Sequence, residues 1–309
     1  SYTSRSLDGM GKVLNLSSDQ QTAAKALLEG YQQSFETLSG GARDKMSEMR
    51  EAMRGEMGDG PNPDAMRKMG DEMDKFRKAR AELDTGFMGD LKAVLTPEQA
   101  DKWPTVERLN RREQSMGRGL MSGERVDLVK LVDELKLDEK DKAALLPVLD
   151  EYAAALDQQL ILRNTAYDSA QTKMREMFGG GGDPSAMEQV FEDGRTASTR
   201  VRDVNRRFAR QIEGVLPESA RASFAEEFRR DSFPLVYRQT YASRALKAAG
   251  EMSDLDEGQK TAVQTIAESY TRELATVNKE LEAASNKREE SLKPADMMPR
   301  RGGMGGGGG

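Results

Sequence analysis

The chain contains an internal repeat, and this repeat constrains the fold more than any other feature of the sequence. A segment that begins at Leu16, LSSDQQTAAKALLEGY, returns as LDEKDKAALLPVLDEY from Leu137 and as LDEGQKTAVQTIAESY from Leu255. The first two copies then keep a constant offset of 121 residues as far as Trp103 and its counterpart Phe224. Similarity at a long, fixed period indicates that one structural unit is built more than once.

Within each copy, apolar residues recur at steps of three and four, the spacing of an amphipathic helix. In the first copy this stripe comprises Ala24, Leu27, Tyr31, Phe35, Leu38, Ala42, Met46, Met49 and Met53. It predicts one long helix from Ser18 to Arg54, followed by a Gly/Pro loop at 58–63 and a second helix that carries Phe87 and Leu91. A corresponding loop at 179–184 should end the long helix of the second copy. Two antiparallel helices with facing stripes form a hairpin.

Capping motifs precede the repeated helices. A Ser, Thr or Asp at the N-cap with a Gln three residues later forms a capping box, which satisfies two backbone N–H groups, and a preceding Leu is placed to act as a hydrophobic staple. The motif residues are Leu16, Ser17 and Gln20 in the first box, Leu95, Thr96 and Gln99 in the second, and Asp256 and Gln259 in the third. We expect each box to begin a long helix. The pattern is weaker after Leu255 and Leu137, where Asp stands at the N-cap, and it is absent at Leu216-Pro217.

Composition excludes several functional classes. The chain has no His and no Cys, so it cannot form a Ser-His-Asp triad, a Cys-His pair or a usual zinc site. We therefore expect no enzyme activity, no cofactor and no metal site built from these ligands. The net charge of -6 disfavours nucleic acid as a partner. The longest purely apolar stretch, residues 143–149, is far shorter than the roughly 20 residues that span a bilayer, so we expect no membrane insertion.

The repeat also predicts the domain organisation. We expect an N-terminal tail at 1–13, a first helical unit at 14–121 and a second at 122–241. A half unit, made of one long helix, should follow at 242–296, and a disordered Gly-rich tail at 297–309. Only 37% of the residues are hydrophobic, which fits thin, two-layered helical units better than one thick core.

Two of the capping motifs carry a family resemblance. LNLSSDQ at 14–20 and LTPEQ at 95–99 resemble the paired Leu-Thr-x-x-Gln motifs of the periplasmic Spy/CpxP family. The resemblance covers 14–112 directly, and it extends to the rest of the chain only through the repeat. It implies an all-α fold of tandem Spy/CpxP-like long helical hairpin units, two full and one half.

The resemblance also implies a function. Members of the family are envelope-stress proteins, which include ATP-independent chaperones, regulators of a stress-sensing kinase and metal-resistance relatives. The expectation for this chain is a periplasmic or otherwise extracytoplasmic chaperone that binds unfolded or partly folded proteins, after removal of a signal peptide before Ser1. A regulatory module for a sensor-type partner and a Met-based metal-handling protein are the alternatives, and self-association is left open.

Two groups of side chains are candidates for client binding. These are Met46, Met49, Met53, Met57, Met66 and Met69, together with Arg202 and Arg206. The Met residues fit core packing, an adaptable surface for apolar segments, or a thioether site for Cu(I). The segment 195–244 has eleven Arg and no Lys, which fits either a solvated helix face or a surface for clients or an acidic partner. Clustered acidic residues such as Glu48 and Asp71 fit solvated helix faces, since no calcium-loop motif is present.

Overall fold

The amphipathic repeats fold as helices throughout the computed structural model, which describes residues 1–55, 63–178 and 185–292. The elements in these residues are α1 (Ser4–Leu14), α2 (Ser18–Gly55), α3 (Pro63–Ala93), α4 (Pro97–Ala100), α5 (Trp103–Ser115), α6 (Leu128–Glu134), α7 (Glu139–Phe178), α8 (Ser185–Val215), α9 (Glu218–Ser232), α10 (Tyr241–Gly250) and α11 (Glu257–Glu290). No strand occurs in this part of the chain, so the expected all-α class is confirmed.

The first long helix matches its prediction closely. α2 begins at Ser18 and continues to Gly55, through Gly40 and Gly41, and it packs along α3. The expected loops at 58–63 and 179–184 and the expected tail at 297–309 lie outside the described residues, except at residue 63, where α3 begins.

Residues 1–13, expected to be a tail, instead form α1 and its N-cap. Thr3 caps the helix by accepting a hydrogen bond from the N–H of Ser6. Leu7, Met10 and Leu14 recur at steps of three and four, and all three are buried, because α1 packs against both α2 and α5. The N-terminal segment is therefore part of the first core.

The same short helix recurs in the second copy. Leu128 and Leu131 of α6 lie 121 residues after Leu7 and Met10, and they are also buried. Since α10 precedes α11 as α6 precedes α7, the repeated pattern begins with a short helix in all three copies. The sequence-based boundary at residue 14 omits this helix from the first copy only.

The chain divides into two compact units, one formed by residues 1–115 and 160–190, and the other by 116–159 and from 191 onward. α7 and α8 contribute residues to both units. The repeat boundaries at 121/122 and 241/242 mark where sequence similarity restarts, and they stay a prediction about domains.

In the first unit, the core is centred on Tyr31. Its hydroxyl donates to Asp84 Oδ1 over 2.6 Å and accepts from the Tyr2 N–H over 3.3 Å. The Tyr31 ring contacts that of Phe87, with centroids 5.1 Å apart. Burial, and then the bond to Asp84, raises the pKa of Tyr31 well above its ordinary value. This tyrosine joins α2, α3 and the N-terminal segment.

The second unit contains the corresponding arrangement 121 residues later. The Tyr152 hydroxyl donates to Asn205 Oδ1 over 2.9 Å, and the rings of Tyr152 and Phe208 lie 5.6 Å apart. Asn205 stands where the first copy has Asp84, and its amide nitrogen also donates to the carbonyl of Gly123 over 2.8 Å. Corresponding positions in the sequence therefore make corresponding contacts.

Candidate functional site

The first two capping motifs meet through their glutamine side chains. Gln20 Nε2 donates to Gln99 Oε1 over 2.7 Å, and Gln99 Nε2 donates to Gln20 Oε1 over 2.9 Å. Each amide also donates to a backbone carbonyl beside the partner motif, Gln20 to Val94 over 2.8 Å and Gln99 to Asn15 over 3.2 Å. The two motifs thus form one reciprocal hydrogen-bonded joint.

Both glutamines complete their own capping boxes as well. The N–H groups of Ser17 and Thr96 donate to Gln20 Oε1 and Gln99 Oε1, each over 3.0 Å. In return, the hydroxyls of Ser17 and Thr96 accept from the backbone N–H groups of Gln20 and Gln99. Every polar atom of the two amide groups therefore has a partner, which fixes the ends of α2 and α3 against each other.

The second box begins a shorter helix than expected. Thr96 caps α4, which ends at Ala100, and α5 then begins at Trp103. Pro104 has no N–H to donate to the carbonyl of Ala100, so the helix that starts at Pro97 cannot continue unbroken. The expectation of a long helix after Thr96 was wrong, although the box itself is formed.

The glutamine joint does not recur at the equivalent positions of the second copy. Asp141 and Ala220 replace Gln20 and Gln99, and no side-chain hydrogen bond caps α9 at Pro217. In the third copy, Asp256 and Gln259 form a complete capping box at the start of α11. That box begins a long helix, as expected.

Along α2, the apolar side chains that face α3 are buried near the joint and only partly buried farther from it. Ala24, Leu28 and Tyr31 are buried near the joint, but no residue of α2 from 32 to 51 is. Leu38 and Phe76 are only half-buried and line an open groove of about 280 Å³ between the two helices. The open part of the stripe from residue 35 to 49 is about 21 Å long at ~1.5 Å per residue.

Three of the predicted Met residues lie where the structure describes their side chains. Met46 lines the open groove, and Met46, Met49 and Met69 are all half-buried. Met53 lies in α2 and Met66 in α3, but the structure does not describe their side chains, and Met57 lies outside the described residues. The described Met side chains are therefore accessible in part, as a binding surface requires, and they also pack in part between the helices.

Charged residues surround the groove. Glu72 Oε2 lies 3.1 Å from Lys45 Nζ across the two helices, and Glu72 Oε1 lies 2.5 Å from Lys75 Nζ. The hydrogen bonds from Lys75 and Lys45 lower the pKa of Glu72. Arg80 lies over the Phe35 ring, with its guanidinium carbon 5.9 Å from the centroid. An apolar groove with a mixed charged rim is the result.

The two predicted Arg residues lie elsewhere, in the second unit, and they contact α11. Arg206 Nη2 donates to Asn286 Oδ1 over 2.7 Å, and burial, followed by the charge of Arg202, lowers the pKa of Arg206. Arg202 Nη1 lies 4.0 Å from Glu289 Oε2. Both guanidinium groups therefore have intramolecular partners in this conformation, whereas the described Met residues belong to the first unit.

Sequence reasoning missed three features of these sites. The pairing of Gln20 with Gln99 was not foreseen, although both residues were identified as caps. Phe76 continues the apolar stripe of the second helix at helical spacing, and this signal was available in the sequence. Glu289 gave no signal, because nothing in a run of charged residues distinguishes the one that becomes buried.

Within the described ranges, no three His, Cys, Asp or Glu side chains are grouped so that they could hold a metal ion. No helix in the same ranges combines the length and the apolar character needed to cross a membrane.

Comparison with protein-family models, with curated proteins and with solved structures finds no match to this chain. The resemblance to the Spy/CpxP family therefore rests on the sequence of the capping motifs alone, and it stays a prediction.

Proposed function

We propose that the protein is an ATP-independent, chaperone-like protein that binds unfolded or partly folded chains along the open groove between α2 and α3. The observation that carries this proposal is the change along the α2–α3 stripe. The stripe is sealed around Tyr31, yet its apolar pattern continues past the sealed part without becoming buried. These apolar side chains pack only in part between the two helices, so the rest of their surface is available to a bound segment.

The chemistry of the groove suits many unrelated apolar segments. Met side chains are unbranched and polarisable, so they can repack against different shapes. The half-exposed Leu38 and Phe76 add fixed apolar surface beside them. Such a groove selects for exposed apolar side chains rather than for one sequence.

The same groove binds weakly. Burying the exposed half of one Met, Leu or Phe side chain contributes about 1 kcal/mol. A handful of such contacts only just offsets the cost of association, which is at least about 4 kcal/mol. A client would therefore dissociate quickly and could fold between encounters, without nucleotide hydrolysis. The charged rim around Glu72 favours capture of polar flanking residues.

The finer classification belongs to the same proposal. We assign the chain to tandem Spy/CpxP-like helical units, two full and one half, that act outside the cytoplasm. The paired glutamine motifs and the recurrence of the tyrosine contacts at an offset of 121 residues support the unit structure. The extracytoplasmic location rests on the motif resemblance alone, and fractionation of cells that express the full gene would test it.

An aggregation assay tests the function. A chemically denatured model protein is diluted into buffer without nucleotide, and light scattering is followed with and without the full chain. We expect suppression at a stoichiometric ratio. The triple variant Met46→Gln, Met49→Gln and Met69→Gln should lose most of this effect, because amide groups make the open stripe polar.

A matched control places Gln at exposed apolar positions outside the groove. Met252 and Leu235 are 54% and 82% exposed, so Met252→Gln and Leu235→Gln should leave suppression unchanged. Full aggregation in the presence of excess wild-type protein would refute the chaperone function. Equal loss in the control and groove variants would refute its assignment to the α2–α3 groove.

A further inference from the structure

The C-terminal half of α11 is held on the second unit through a buried carboxylate. Glu289 is 8% exposed, and its Oε1 accepts from the Ser122 N–H over 2.9 Å and also from the Ser122 hydroxyl. Its Oε2 faces the guanidinium group of Arg202 at 4.0 Å, beyond hydrogen-bond distance. This carboxylate is the most deeply placed charge on the helix.

Two further polar contacts come from the same face of α11. Glu282 accepts from the Tyr237 hydroxyl over 2.8 Å, and Asn286 accepts from Arg206 over 2.7 Å. Glu282 and Glu289 are seven residues apart, which places both carboxylates on one side of the helix, about two turns apart.

Apolar burial does not hold the C-terminal part of α11, residues 277–290, in place, whereas the earlier part of the helix packs against α10. The only buried residues of α11 are Asn278 and Glu289, while Val277 and Leu281 are each 48% exposed. The first two copies bury the tyrosine that corresponds to Tyr270, whereas Tyr270 is only half-buried. Since each polar contact has a modest net stabilising effect, this C-terminal part of the helix can detach without exposing a core.

The surface that α11 contacts is itself suited to a ligand. An open cavity of about 320 Å³ lies between α8, α9 and α11. Phe228, which is half-buried, lines it together with Arg206, Arg210 and Arg229, and the buried rings of Phe224 and Phe233 form part of its wall. Aromatic rings beside several guanidinium groups form a surface for an apolar segment that carries carboxylates.

We propose that α11 is an intramolecular ligand of a peptide-binding groove on α8 and α9, and that it competes there with helical segments of client proteins that present two carboxylates about two turns apart. That the competing segments belong to client proteins rests on the proposed function. That α11 occupies the groove and can be released from it does not. Arg206, proposed from the sequence for client binding, would then bind clients only after α11 has moved away.

The experiment compares two variants of the full chain that carry the same change in net charge. Glu282→Gln with Glu289→Gln alters the docked face, and Glu280→Gln with Glu290→Gln alters exposed positions of the same helix. We expect amide hydrogen exchange across 278–290 to be at least about tenfold faster in the first variant only. Unchanged exchange around Val201, which is buried in α8, shows that the unit remains folded.

The second readout is binding of a fluorescein-labelled peptide with the sequence of residues 278–292, followed by anisotropy. This peptide should bind the Glu282→Gln, Glu289→Gln variant at least about tenfold more tightly than the wild type, because its own carboxylates enter the vacated groove. Adding Arg206→Ala to that variant should abolish the gain.

If amide hydrogen exchange across 278–290 is equal in the two variants, Glu282 and Glu289 do not hold α11 on the second unit, and the proposal is overturned. Faster exchange without tighter peptide binding would show that the surface left by α11 is not a peptide-binding groove, and would overturn the proposal. If the wild-type chain fails to protect denatured clients, the proposed function falls, but the exchange and peptide measurements still decide whether α11 is a releasable ligand.

Discussion

The pairing of Gln20 with Gln99 gives a prediction whose magnitude follows from its hydrogen bonds. Each side-chain amide takes part in four bonds, and two of these are the reciprocal bonds that both amides share. A hydrogen bond between neutral groups contributes about 0.5 to 1.5 kcal/mol net, and the lower half of that range applies because both residues are half-buried. Gln20→Ala and Gln99→Ala should each reduce the free energy of unfolding by about 2 to 4 kcal/mol.

The double variant distinguishes a joint from two separate caps. It removes the two shared bonds once, whereas the sum of the single variants counts them twice. The double variant should therefore be about 1 to 2 kcal/mol more stable than additivity predicts. Two independent capping boxes would give additive losses.

The chain carries its own probe for this measurement. Trp103 is the single tryptophan, it is 6% exposed, and it lies in the first unit close to the second capping motif. Urea unfolding followed by tryptophan fluorescence therefore reports on the first unit. Gln21→Ala is the matched control, because its amide donates only to the carbonyl of Leu16.

The control should cost less than about 1 kcal/mol, and it should add to Gln99→Ala without coupling. A coupling energy between Gln20 and Gln99 below about 0.3 kcal/mol, within the usual scatter of additive sites, would refute the reasoning.

Three other predictions concern contacts within the two units. Leu91 is fully buried, so Leu91→Ala should reduce the free energy of unfolding by about 2 to 5 kcal/mol in the same fluorescence assay. Tyr31→Phe removes the hydroxyl that donates to Asp84, and it should cost about 1.5 to 3 kcal/mol in that assay. Burial and then the bond to Glu282 raise the pKa of Tyr237 from 10.0 to about 12. Because the folded-state pKa is the higher one, this stabilisation is complete below pH 10 and is lost as the pH rises to about 12. Tyr237→Phe should flatten the fall of the urea midpoint, followed by circular dichroism, across that interval.

Each of these has a clear contrary result. A Leu91→Ala chain that unfolds like the wild type would show that α3 does not pack as described. An unchanged Tyr31→Phe chain would show that the bond to Asp84 adds nothing to stability. If the urea midpoints of the wild type and Tyr237→Phe depend on pH in the same way, the titration of Tyr237 does not affect the stability of the second unit.

The candidate surfaces differ in how they relate to packing. The α2–α3 groove is open because the apolar stripe is longer than the sealed core, so it is available in the conformation described. The α8–α9 groove already has α11 as an occupant. The two surfaces therefore call for different variants, Met substitutions for the first and carboxylate substitutions on α11 for the second.

The fold was largely predictable where the signal is local. Steps of three and four fixed the course of α2 to within one residue at its end, and the boxes at Ser17, Thr96 and Asp256 all formed as expected. The short helix α1 was missed, although Leu7 and Met10 have the same spacing, because its motif begins before the region of visible similarity.

By itself, the sequence determined an all-α protein with long amphipathic helices, capped starts and a repeated order, because each of these properties depends on residues within a few turns of one another. Only the tertiary structure decided that Gln20 meets Gln99, 79 residues away, and that Glu289 meets Ser122, 167 residues away. A capping glutamine and a surface glutamate are both satisfied locally or by water, so nothing in their own segments shows which will find a distant partner. The packing of the helices decides which polar side chain gains a distant partner. It also decides which groove stays open and which one the chain itself occupies.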